Sequence, residues 1–230
     1  MAPAVVYTCL SVIFNPSILA FLMINGLAGF LLFLFNIREI FHVITLRSSF
    51  YFPVIFITVY LLTSVFHELG HGAALRYFNY KPGPIQVKLG NGVFLLHFST
   101  PFLIHSPNQP MSRKIKLTII SGGMIVDAIL LAMGVYMFRF VLHSWHLIKV
   151  FGILLSLTAL CRILLSLNFF NENSDMAKIL EHYFEPEATD FKKHIMYKFV
   201  GTVFWILQYS VFFFLIYLFL YLVHSMIMRP

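Results

Sequence analysis

Five consecutive residues, His67-Glu68-Leu69-Gly70-His71, set two imidazoles four positions apart with a carboxylate beside the first. On a helix, residues four apart share one face, one turn above the other. Two imidazoles so placed can converge on one Zn²⁺ at about 2.0–2.1 Å each, leaving the carboxylate to act on a metal-activated water. The chemistry implied is hydrolysis of an acyl bond. Glu68 would take a proton from the water that attacks a carbonyl and later deliver it to the leaving amine. Gly70 and Gly72 would let another helix or a substrate strand approach closely.

The setting of the motif is apolar. It follows residues 51–66, an almost wholly hydrophobic run. Two histidines and a glutamate at membrane depth are expensive and need partners or a role. Of the 230 residues 60% are hydrophobic and 11% charged, against about 25% charged in an ordinary soluble domain. A soluble fold of this size could not hide so much apolar surface, so lipid must be the solvent for much of the chain. The net charge of +7 then points to loops that hold topology and meet anionic headgroups, not to nucleic acid. Cys9 and Cys161 sit in apolar runs and read as small packing residues, with no disulfide and no cysteine metal site expected.

A membrane span needs about 20 mostly apolar residues. Five such stretches are expected, roughly at 17–35, 51–78, 115–140, 147–168 and 199–224. The apolar stretch 5–14, ahead of an Asn15-Pro16 break, is too short to cross. It reads as an interfacial segment or an extension of the first helix, and is expected to be retained. Between the second and third spans, apolar-rich runs at 85–88 and 93–98 flank Gly90-Asn91-Gly92, a strong hairpin signal. The connection 169–198 is mixed in charge and is expected to be partly helical on the membrane surface. The fold class expected is thus a membrane all-α bundle of about five transmembrane helices with a small β-hairpin. It forms one integral membrane domain over 1–230, with accessory helices in 1–49 and 181–230 around a core at about 50–180.

With five spans, the connections 79–114 and 169–198 share a face that collects ten basic residues. The opposite face holds Arg38, Arg47, Arg139, Lys149 and Arg229, and Arg162 lies inside the fourth span. The positive-inside rule places the first face, and the N-terminus, in the cytoplasm.

His67-Glu68-Leu69-Gly70-His71-Gly72 inside a hydrophobic segment resembles the site-2 protease family of intramembrane zinc metalloproteases. The resemblance covers about residues 50–180. In that family a later segment carries a metal-ligating Asp, often in an Asn-Pro…Asp-Gly context. The matching stretch here runs from Leu167 and Asn168 to Asp175, Met176 and Ala177. The resemblance thus implies His67, His71 and Asp175 as ligands of one zinc per chain. Phe169 stands where Pro is common and Met176 where Gly is common, and Glu172 is the alternative third ligand. Two spans separate the motif from Asp175, so both halves end on the same side of the membrane.

Ile120-Ser121-Gly122-Gly123 is similar to a small-residue stretch of the family, and in lipid such residues let helices pack closely. Asp127 beyond it must be paired with Arg162 or a histidine, or else orient substrate. The family also uses a strand edge beside its site to receive extended substrate. His97 and His105 lie in the same connection, and are read as surface or interfacial residues that could approach the metal.

What the resemblance implies is a zinc metalloendopeptidase, and the connection between the two site halves, too short for a typical domain of about 100 residues beside the third and fourth spans, makes it a compact form with no inserted PDZ-type domain. It would cleave a membrane-spanning segment, a signal-peptide remnant or a small hydrophobic precursor, in a bacterial plasma membrane with its active site toward the cytoplasm. The competing expectation is a non-proteolytic membrane zinc-binding or scaffold protein. A metal transporter would need several polar residues along a path through the bilayer, and the sequence shows one cluster.

Overall fold

The computed structural model describes residues 2–40, 52–89, 96–99, 111–141, 146–167 and 174–183, with isolated positions between 202 and 217. The chain opens with α1 (Ala2–Ser11) and a tight helical turn, Val12–Phe14. Asn15 then caps α2 (Pro16–Phe35), its side chain accepting from the Ser17 N–H at 3.1 Å. Pro16 takes the first helical position, where a missing N–H leaves nothing unpaired. The Asn-Pro break is therefore a helix start. α3 (Phe52–Tyr77), α4 (Arg113–Phe140) and α5 (His146–Ser166) follow, then the short α6 (Asp175–Tyr183).

Four of these helices, α2 to α5, are long and apolar enough to cross a membrane, with mean hydropathies of 2.5, 1.4, 2.0 and 2.1 over their most apolar windows. Of the expected fifth span, 199–224, only Thr202, Val203, Ile206, Ser210 and Tyr217 are described. α4 and α5 pack along each other, α3 and α2 both pack on α4, and α1 lies against α3. The most apolar windows of α4 and α5 are 61% buried and that of α2 only 17%. α2 therefore turns Phe21, Ile24, Leu27 and Phe35 outward. Such a face suits lipid rather than water. Between the helices, Phe33, Val59, Leu130, Val135, Phe138, Ile153 and Leu154 form one continuous core.

β1 (Gln86–Leu89) and β2 (Leu96–Ser99) pair antiparallel, with Gln86 opposite Ser99 and Leu89 opposite Leu96. The turn between them, 90–95, lies outside the described residues. β2 rests against α3, the helix that carries the motif.

One crossing positions the site. At Gly70 of α3 and Gly122 of α4 the backbones meet so closely that a Cβ on Gly122 would fall 2.6 Å from the Gly70 carbonyl oxygen, and a Cβ on Gly70 would collide with that of Gly122. Only small residues permit such an approach. His67 and His71 flank the crossing and are pressed onto the face of α4.

Candidate metal centre

His67, Glu68, His71 and Asp175 are all buried. The histidines come from one face of α3. Asp175 comes from the first residue of α6, where Ser174 caps the helix by accepting the Ala177 N–H at 3.1 Å. The cap fixes the direction in which α6 starts, and so where the carboxylate goes. The motif and Asp175 are thereby brought together, although about 100 residues separate them and lie outside any local pattern.

The tautomers follow from the partners. His71 Nδ1 is 2.9 Å from the Ile119 carbonyl oxygen. A carbonyl only accepts, so this Nδ1 carries the proton and donates it. His67 Nδ1 is 2.6 Å from Asp127 Oδ2, and a carboxylate acceptor imposes the same tautomer. With Nδ1 engaged in this way, Nε2 is the atom each ring turns toward the other and toward Asp175. The two Nε2 atoms are 3.3 Å apart. Asp175 Oδ2 is 3.3 Å from His67 Nε2, and Asp175 Oδ1 is 3.6 Å from His71 Nε2. Asp175 Oδ2 is buried with no hydrogen-bond partner.

Gathered in a dry site, these nitrogen and carboxylate atoms call for positive charge among them. A tetrahedral ion about 2.0–2.1 Å from its ligands separates them by ~3.3–3.4 Å. The two separations at His67 Nε2, 3.3 Å to His71 Nε2 and 3.3 Å to Asp175 Oδ2, match that edge length, and His71 Nε2 lies 3.6 Å from the other carboxylate oxygen. His67, His71 and Asp175 can hold a metal ion. The donor set is the two-imidazole, one-carboxylate type that leaves a coordination position for water or substrate. Burial alone would push the Asp175 carboxyl up, but His71 and His67, with Lys178 adding, outweigh it and hold the group at about 2, in the carboxylate form that ligates.

Two features of the site have no direct signal in the motif. Gly123 of α4 lies flat under the His67 ring, and a Cβ there would come 2.5 Å from both Cε1 and Nε2. Tyr7 of α1 is buried over Gly72 and its hydroxyl donates to the Gly83 carbonyl at 3.3 Å. Burial, and then the Glu68 charge, push the Tyr7 phenol up from its usual value, so it remains an O–H donor beside the motif. The stretch expected to be interfacial or an extension of α2 thus roofs the motif helix. Asp127, which the sequence left open between three roles, bonds His67 and also faces Arg162.

Glu68 is buried next to His67 in sequence and stands outside the three-ligand group. Glu172 and His105 lie outside the described residues, and of His97 only the backbone, in β2, is described. Comparison with family models, with curated proteins and with solved structures finds no match to this chain.

Proposed function

We propose that the chain is an intramembrane zinc metallopeptidase of the site-2 protease type. The observation that carries this reading is the buried His67–His71–Asp175 group, its two histidines on a helix of membrane length, with a glutamate beside the first ligand. Zinc held by these residues would polarise the scissile carbonyl and lower the pKa of a water toward about 7.

The chain's own residues supply the rest. The Glu68 carboxylate takes the proton of the attacking water as the new C–O bond forms. It then gives that proton to the amide nitrogen as the C–N bond breaks. Burial of the site excludes bulk water and strengthens these charge interactions. A substrate helix has its amides paired internally and must unwind before attack. The β1–β2 ladder against the motif helix offers a strand edge on which an extended segment could be held. The substrate class is a membrane-spanning segment, a signal-peptide remnant or a small hydrophobic precursor. The excess of basic residues on the face that carries the two long connections favours a cytoplasmic position of the site in a bacterial plasma membrane.

The test is Glu68→Gln in purified, zinc-loaded protein incubated with a labelled transmembrane peptide. About one zinc per chain should be retained, because all three ligands remain, while hydrolysis is abolished. Wild-type turnover in that variant, or a wild type that takes up no stoichiometric zinc, overturns the proposal.

A further inference from the structure

Asp127 is fully buried in the middle of α4, yet it is not a member of the ligand group. Its Oδ2 lies 2.6 Å from Nδ1 of His67, on the side of the ring away from Nε2. From there it cannot reach the point between the three ligand atoms. Its other oxygen, Oδ1, is 3.6 Å from Nε of Arg162 on α5, and neither of these two atoms has a hydrogen-bond partner. Arg162 also donates from Nη1 to Ser64 Oγ at 3.0 Å, and Ser64 lies one turn before His67 on α3. The row Ser64–Arg162–Asp127–His67 thus runs through three helices and ends on a metal-ligand ring.

A buried carboxylate is strongly disfavoured unless paired and hydrogen-bonded. Here it meets a cation on one side and an imidazole N–H on the other. Mere neutralisation of Arg162 would call for the shorter contact to be with the guanidinium. The short contact is instead with the ligand ring. A ligating histidine whose second nitrogen donates to a carboxylate is held in one tautomer and one orientation, and becomes a stronger donor to the metal.

We infer that Asp127 is a positioning residue for the metal centre, fixing the tautomer and raising the donor strength of His67, and that Arg162 is its counter-charge and anchor. This rests on the metal site proposed above. Glu68 activates water, whereas Asp127 acts only through His67. Loss of Asp127 therefore weakens metal binding as well as turnover, while loss of Glu68 spares binding.

The test measures zinc affinity by chelator competition in detergent, for the wild type, Asp127→Asn and Asp127→Ala. Thermal melts of the metal-free proteins run beside it. Zinc should bind about 10-fold more weakly to the Asn variant, which keeps an acceptor but no charge, and about 100-fold more weakly to the Ala variant, the range seen when such outer partners are removed. The ¹⁵N-histidine spectrum of the metal-free wild type should place the His67 proton on Nδ1, and the Ala variant should lose that preference. A merely structural Asp127 would lower the melting temperature and leave the affinity of the folded fraction unchanged, which overturns the inference. Should neither Asp127 variant fold, Arg162→Gln decides: several-fold weaker zinc binding, restored by Arg162→Lys, supports the relay, and equal binding in all three proteins refutes it. A wild type that binds no zinc removes the metal site itself, an outcome distinct from unchanged affinity in the variants.

Discussion

Gly123→Ala adds one methyl group to a helix and replaces none of the proposed ligands, yet it should disable the proposed metal centre. The new Cβ would fall 2.5 Å from Cε1 and Nε2 of His67 and 2.8 Å from Cδ2. Comfortable carbon contacts are about 3.5–4.0 Å, so the ring must retreat by roughly 1 Å. It has nowhere to go without breaking a contact, because Nδ1 is held 2.6 Å from Asp127 and Nε2 faces His71 and Asp175 at 3.3 Å each. Metal–ligand distances tolerate about 0.2 Å, so a shift of that size removes His67 from the ligand set. Displacing a ligand outright should exceed the effect of losing an outer partner, and zinc affinity is expected to fall on the order of 100-fold or more. Overpacking should also lower the stability of the metal-free protein by about 1–3 kcal/mol. Chelator competition and melts of the purified protein read the two effects separately. Gly26→Ala is the control, since its Cβ would meet Ala128 only at ordinary contact, 3.6 Å and beyond, and it should bind zinc as the wild type does. A folded Gly123→Ala protein with wild-type affinity would refute the placement of the His67 ring.

Other outcomes follow from the same geometry. Asp175→Asn should lower zinc content and peptide cleavage together, whereas Glu172→Gln should change neither; the reverse pattern, read by metal analysis and turnover, would reassign the third ligand. In the metal-free protein, Asp175 is depressed to about 2 from its usual 3.8. A depressed carboxyl stabilises the fold above its unfolded value and loses that contribution as pH falls through the folded one, worth roughly 2 kcal/mol here. The stability gap between wild type and Asp175→Asn should therefore be full at pH 5 and close by about pH 2, as followed by detergent-phase melts; a gap that does not depend on pH would contradict the charge pairing.

What the sequence determines by itself is local or compositional. Hydrophobic runs of membrane length report their helices directly, because lipid leaves the backbone no other way to pair. His67 and His71 share a face because four residues make about one helical turn. Asn15-Pro16 marks a break ahead of the first span, because a proline cannot continue a helix already begun. Asp175 follows only from resemblance to a family, with Glu172 open beside it, because nothing near Asp175 in the chain tells a buried carboxylate from a solvated one.

Tertiary structure decided the remainder. The carbonyl that orients His71 belongs to Ile119, and every residue has such a carbonyl, so no residue type announces it. Asp127 was visible as an expensive buried charge, but its choice of His67 over Arg162 depends on how α3 and α4 cross at Gly70 and Gly122. In the sequence Gly123 is one more small packing residue, and only the fold sets the His67 ring against it. Ligand atoms must agree within tenths of an ångström, and that agreement is set by helix crossings between segments 48 and 60 residues apart, which no local periodicity encodes.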